Sequence, residues 1–303
     1  MASVEESKEK ILQIALKDLG RSENDLQAEL DSLKEWFKTQ KHLPEIPDDH
    51  ILINQILSNK FHMEKTKKKI DTYYTIRSIL PEIFENSNPN RPSMKSVLKQ
   101  IAVFPLGVTE SGHRVGMFWM DLDKNDRTIS PYNVASQIIN SIEVMAHESI
   151  TLPWITIHDY GKLTTEYLTK INPVTIKKTF VPLKMFSIRQ KEIHIVNIPK
   201  YAEIFLNMYK QFFIPKIRDR FIVHSSPNEL QKYIPKSLLP MDYGGDLPNL
   251  RTLADEWNKN FEKYAERFDQ LEKLKVDETL RSTPLKDDEL LGAYGHFRKL
   301  DID

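Results

Sequence analysis

Several residue groups in this chain have the types, and nearly the spacing, of known catalytic or metal-binding sets. His147-Glu148 resembles the start of a zinc-protease helix, in which two imidazoles one turn apart hold the metal and the glutamate activates its water. The second histidine would fall at position 151, which is Thr151. The run from Asp121 to Asp126 imitates a calcium loop, but Asp126 stands where the sharp turn needs glycine and Tyr132 where a bidentate glutamate belongs. Gly107, Gly112 and Gly116 are not followed by the Gly-Lys-Ser/Thr that completes a phosphate-binding loop. No G-x-S-x-G elbow presents a serine nucleophile. His158-Asp159 ends a strand-like run and could be half of a triad, yet nothing supplies its nucleophile. A hydrogen-bonded structural histidine is the expectation there. Catalysis and a resident cofactor are therefore not expected.

What remains is apolar mass beside local positive charge. The stretch from His194 to Ser226 reads as a strand, an amphipathic helix, a basic segment and a second strand. Tyr201, Ile204, Phe205, Met208, Tyr209 and Phe212 recur at helical spacing on one side. Lys216, Arg218 and Arg220 follow within a few residues. A greasy helix running into a basic segment fits a lid that opens on an apolar, anionic surface. It also fits a core helix followed by a solvated loop, and pattern alone favours this second reading.

The elements that must position these groups fall into two textures. The first ninety residues are helical in pattern, with apolar sets at Ile11–Leu16, Leu26–Phe37 and Ile51–Leu57, and a further helix from Met63 to Ile79. Asp48 and Asp49 are placed to cap the third of these. Lys65, Lys68 and Lys69 share a face of the fourth, as solvated helix faces commonly do. The Asn-, Pro- and Ser-rich segment from Glu85 to Ser93 reads as a linker. Beyond it, strand-length runs (VGMFWMDL, LPWITIHDY, EIHIVNI, RFIVHS) alternate with helical patterns, which argues for parallel pairing. A charged helix from Asn249 to Leu274 follows, and the tail from Val276 to Asp303 is expected to wrap the surface. The expected units are 1–90, 91–250 and 251–303.

The totals narrow the class. Among 303 residues, lysine plus arginine number 43 and aspartate plus glutamate number 43, so no global field draws the chain to nucleic acid. Recognition by charge must come from local patches. The absence of cysteine removes disulfides, thiolate catalysis and iron–sulfur clusters. The N-terminus is charged from Glu5 and has no apolar signal region, and no apolar run approaches the ~20 residues needed to span a bilayer. A cytoplasmic protein, transiently membrane-associated, is expected.

The ordered segments WFKTQKHLPEIPDDHILINQILSNKF, GHRVGMFWMDLD, ITIHDYGKL and IHIVNIPKYAEIFLNMYKQFFIPKIRDRFIVHSS, closed by LPMDYGGDLPNL, resemble the CRAL-TRIO (Sec14-like) lipid-binding family. The likeness covers residues 25 to 260 and is closest to the tocopherol- and retinaldehyde-binding branch. It implies an α/β chain: an all-helical N-terminal domain, then a CRAL-TRIO domain whose mainly parallel sheet floors an apolar cavity closed by a gate helix. The gate corresponds to the Tyr201–Phe213 stretch. The resemblance further implies a small hydrophobic ligand of tocopherol, retinoid, carotenoid or sterol type. It also implies a phosphoinositide-containing membrane as partner, met by Arg189 and Lys191 before the IHIVN strand and by Lys216 and Arg220 after the gate, with Arg218 beside them. One departure is that Gln55-Ile56-Leu57-Ser58-Asn59-Lys60-Phe61 replaces the family's basic signature there, leaving only Lys60.

Ile204, Phe205, Met208 and Phe212 are expected to face the cavity, since a gate's apolar face must look inward. Phe118, Ile155 and Ile157 are expected as cavity-lining strand residues. Six large apolar side chains at ~1.5–3 kcal/mol each make full exposure of the gate cost very roughly 9–18 kcal/mol, an upper bound that a receiving bilayer offsets. Basic residues near an anionic surface add ~1 kcal/mol each. The expected function is carriage of a hydrophobic ligand between membranes. The alternative is a membrane-targeting or signalling adaptor that binds phosphoinositides without transfer.

Overall fold

The computed structural model describes residues 8–282. The N-terminal helices are α1 (Lys8–Leu19), α2 (Glu23–Thr39), α3 (Asp49–Ser58), α4 (Met63–Ile79) and α5 (Pro81–Phe84). α2 starts on a capping box in which Ser22 and Asp25 each satisfy the other's backbone N–H. Asp48 occupies the N-cap of α3, although its side chain makes no capping hydrogen bond.

α6 (Lys95–Gln100) leads into β1 (Ile101–Val108) and β2 (Arg114–Met120), followed by α7 (Pro131–Glu148) and β3 (Trp154–Asp159). α8 (Thr165–Thr169) and α9 (Pro173–Phe180) precede β4 (Gln190–Val196), α10 (Glu203–Lys210), α11 (Pro215–Arg218) and β5 (Phe221–Val223). α12 (Leu250–Lys263) and α13 (Ala265–Leu271) come last. The sheet order is β1-β2-β3-β4-β5, antiparallel between β1 and β2 and parallel thereafter. β1 was not legible as a strand because it contains Pro105, which an edge strand tolerates, and the pairing shifts register between Pro105 and Gly107. The expected last helix divides at Tyr264, whose backbone leaves the helical region between α12 and α13.

The two faces of the sheet have different jobs. One packs Phe104, Val115, Met117, Ile155 and Ile157 against Leu230, Ile234, Tyr243 and Ala254, a solid apolar layer. The other faces α7 and α9 and lines a cavity. The helical N-terminal region shares a continuous core with this unit, since Leu52, Ile76 and Ile83 cluster with Ile139, Val181, Phe261 and Phe268. The segment expected as a linker is pinned down: Asn88 donates to Asp269 (2.9 Å), Asn90 to the Phe261 carbonyl (2.9 Å) and Arg91 to Glu272 (2.8 Å).

The described start of the tail braces α4, with Arg281 bonding Asp71 (2.6 Å) and Thr75 (2.8 Å). The rest of that tail, from 283 onward, lies outside the described residues, as does the segment before Lys8. Among the described residues no helix is long and apolar enough to cross a membrane.

Candidate functional site

Alternation along three strands builds the cavity floor. Arg114, Gly116 and Phe118 of β2 stand in register with Trp154, Thr156 and His158 of β3, and Thr156 and His158 with Ile193 and Ile195 of β4. Gly116 is needed there because a Cβ would lie 2.5 Å from the Trp154 ring, which covers that part of the floor. The space enclosed is about 220 Å³, walled by Ile138, Ile142 and Met145 of α7, Phe180 of α9, and Tyr209 and Phe213 of the segment that covers it. A second space of about 140 Å³ adjoins it, sharing Phe118, Ile138, Phe180 and Tyr209 and bounded by Phe205 and Leu206.

The covering element is α10, preceded by a short 3-10 turn at Lys200–Ala202. The Tyr201 hydroxyl donates to the Leu163 carbonyl and fastens its start. Its inner side packs by aromatic edges: Phe180 meets Tyr209 with centroids 4.5 Å apart and Phe213 at 5.1 Å.

The expected lining residues divide. Phe118 lies on the floor of both spaces, and Phe205 lines the second. Ile155 and Ile157 do not reach the cavity, because alternation turns them into the solid layer on the opposite face. Ile204 faces outward and is 71% exposed, so the inward positions of α10 are Phe205, Leu206 and Tyr209. Met208 and Phe212 are half-buried and pack on the Phe180 cluster without lining either space.

The basic residues divide too. Lys191 and Lys216 are exposed. Arg218 is half-buried and bonds Gln211 at 3.3 Å, while the guanidinium of Arg220 donates to the Gln190 carbonyl. Arg189 is buried, and it donates to Asp18 of α1 at 2.8 Å. That ion pair ties the first helix to the start of β4 and leaves Arg189 buried, unlike exposed Lys191.

Residues not expected from sequence include Arg114, Trp154, Thr156 and Gln190 on the floor, and Gln55 and Ser58 of α3 on the wall. The last two belong to the segment that departs from the family's basic signature. Asn54 holds that wall in place, donating to the Ala146 and Ser149 carbonyls (both 2.9 Å) and accepting from the Thr151 N–H (2.8 Å). The sequence signal that bears on them is alternation: it places Trp154, Thr156 and His158 on one face of WITIHD and Ile155, Ile157 and Asp159 on the other, without marking which face is hollow.

His158 and Asp159 point to opposite faces, so they form no dyad. Asp159 accepts from Tyr243 Oη (2.6 Å), Asn197 (2.9 Å) and the Gly161 N–H (2.8 Å). His158 contacts Thr156 (3.1 Å) and Tyr160 (3.3 Å), and burial, with the neighbouring His194, lowers its pKa from 6.5 to about 4. His194 and His224 face each other at 2.9 Å behind the sheet and are also lowered, chiefly by burial. A histidine whose folded pKa is depressed stabilises the fold above its unfolded pKa and loses that contribution as pH falls. The urea midpoint is therefore expected to stay level down to about pH 6.5 and to fall steadily toward pH 4. His158→Gln, which keeps a polar contact to Thr156, should make that decline shallower, and an unchanged slope would remove His158 from the account.

Sequence comparison agrees with this architecture. Residues 98–245 match the CRAL/TRIO domain model, and residues 22–94 match the Pinta-like, UBA domain model. The human alpha-tocopherol transfer protein-like protein is 28% identical over 222 residues, covering 70% of this chain and 62% of that protein. Clavesin-2 of Rattus norvegicus is 25% identical over 209 residues, covering 66% of this chain and 63% of its own. The chain thus spans somewhat less than two thirds of these relatives. The crystal structure of Sfh5 superposes with a TM-score of 0.50 at 12% identity over 80% of this chain and 98% of that one, a likeness of fold. With its helical N-terminal region, mainly parallel five-stranded sheet and matched CRAL/TRIO segment, this chain belongs to the CRAL-TRIO family.

Proposed function

We propose that the chain binds a small hydrophobic lipid above the sheet and carries it between membranes, α10 acting as the gate. The observation that supports this is an apolar cavity floored by β2–β4 and covered by a short helix with inward aromatics, in a CRAL-TRIO chain. Phe205, Leu206, Tyr209 and Phe213 close it, and at ~1.5–3 kcal/mol each their full exposure to water costs roughly 6–12 kcal/mol. A bilayer receiving that face removes most of this cost. No covalent step is required of the protein. An open cavity favours carriage over the adaptor reading, and lipid recovered by solvent extraction of the native protein, identified by mass spectrometry, separates the two.

Docking is assigned to exposed Lys191 and Lys216, with Arg218 beside them and outward-facing Ile204 entering the headgroup layer. Arg220 is set aside as a probe, because its bond to the Gln190 carbonyl makes its reversal a structural change as well. Lys191→Glu combined with Lys216→Glu should abolish the acceleration of transfer by anionic vesicles, lowering membrane affinity at least roughly tenfold. Ile204→Ser should slow transfer to neutral and anionic vesicles alike. Normal transfer by the double reversal would show that docking lies on another surface.

A further inference from the structure

A cavity that only excludes water needs no charge, and this one contains one. Arg114 begins β2 with its side chain 6% exposed, on the floor of the larger space. Its Nη2 donates to the Ile150 carbonyl at 3.2 Å, and its guanidinium stands 5.9 Å from the Trp154 ring centroid. Among the described residues no carboxylate pairs with it. The comparably buried arginines differ: Arg189 meets Asp18 at 2.8 Å, and Arg77 meets Glu143 at 3.9 Å. Burial lowers the Arg114 pKa to about 10, so it stays cationic at neutral pH. A buried guanidinium without a counter-charge is a costly feature to keep, and a ligand anion would remove that cost.

The surroundings specify the anion further. Around Arg114 the wall is neutral and polar: Asn54, Gln55, Ser58, Ser149 and Thr151. Asn54 and Ser58 are committed to the protein's own hydrogen bonds, but the Gln55 Oε1 is buried with no partner. As an acceptor that oxygen cannot itself meet an anion; only the amide turned about, with Nε2 toward the ligand, would donate to one. Away from this end the lining turns apolar through Val103, Phe118, Ile138 and Phe180, and it continues into the adjoining space. One fork-shaped monocation at one end of an apolar cavity matches one planar monoanion, since a guanidinium and a carboxylate pair through two parallel hydrogen bonds.

We propose that Arg114 is the headgroup anchor of this cavity and that its preferred ligand is a lipid carboxylate, a single anionic head on an apolar chain. The assignment rests on the carrier reading and names the ligand class within it. Oleate and oleyl alcohol, alike but for the head, are the probes, competed at equal concentration against the full chain and read by native mass spectrometry. Wild type should take oleate at least tenfold in preference, or about 1.4 kcal/mol. Arg114→Met should lose or invert that preference while still taking the alcohol, and Arg114→Lys should keep part of it. A purely structural arginine would not move the head preference.

Equal uptake of the two probes by wild type, or an oleate preference surviving in Arg114→Met, overturns the assignment and leaves the carrier reading in place. Binding of neither probe overturns both. Should Arg114→Met not fold, the wild-type preference and the lysine variant decide the matter.

Discussion

Gly245→Ala is expected to be the most damaging alanine substitution among the described glycines. A Cβ at this position would lie 1.8 Å from the Leu239 carbonyl oxygen and 2.2 Å from its carbon, and backbone cannot step aside as a side chain can. The close approach is made by a compact turn in which Gly245 N–H reaches Pro240 O (3.0 Å), Leu247 N–H reaches Leu239 O (3.0 Å) and Met241 N–H reaches Leu247 O (2.9 Å). Leu239 and Tyr243 are the buried ends of that turn, and Tyr243 carries the bond to Asp159 at the end of β3. Opening the turn therefore unseats the layer behind the sheet, and the cavity floor loses its support.

A loss of at least about 3 kcal/mol is expected, toward the upper end of overpacking effects and a large part of a typical domain's reserve. Gly244→Ala is the control. Its φ of +70° is left-handed, but the nearest obstruction is the Gln231 amide, which can swing away. That change should cost about 1–2 kcal/mol. Urea melts of the two variants test the ordering, and equal losses would mean the turn is looser than its hydrogen bonds indicate.

The paired glycines thus have physical reasons, a left-handed position followed by a close backbone contact, although in the sequence the motif stood out only through the family resemblance. Helices were legible from their stripes, and α4 begins and ends where its pattern does. The order of strands and helices followed from alternating periodicity. Faces were harder. In a buried sheet both sides of β3 are sheltered, so the aliphatic Ile155 and Ile157 gave no indication of which side was solid and which hollow.

The covering helix α10 posed a related difficulty. Its apolar arc is wide enough for Ile204 to fall on the outer side while Phe205 and Tyr209 turn inward. Arg189 could not be separated from exposed Lys191 without Asp18, a partner distant in sequence. Arg114 gave no signal for the same reason, since its distinguishing property is a missing partner, and only the fold shows what a residue lacks.

Arg267→Met is expected to cost about 3–5 kcal/mol at neutral pH, the usual loss when one partner of a buried ion pair is removed. Arg267 of α13 binds Glu143 of α7 (3.2 Å) and Glu45 (2.9 Å). Glu143 is 5% exposed and also accepts from Tyr73 Oη (2.8 Å), with Arg77 at 3.9 Å. Burial would raise the Glu143 pKa. His147 at 3.6 Å and the charges of Arg267 and Arg77 outweigh it and hold the value at about 2.

With Arg267 gone, burial acts against a carboxylate left with weaker partners, and its folded pKa must rise. A depressed carboxylate contributes stability above its unfolded pKa, near 4.5, and loses it as pH falls. The difference between wild type and Arg267→Met should therefore shrink as pH falls below about 4.5 toward the folded value of about 2. Arg267→Met with Glu143→Gln should lose less than the two single changes added together, because no uncompensated charge remains. Additive losses, or a pH-independent difference, would show that packing of the arginine stem, not the ion pair, carries the effect. Cavity function is tied to the same network: Glu143 lies on α7 between Ile142 and Met145, which wall the cavity, so the carboxylate that anchors this helix also fixes how close that wall stands to the floor.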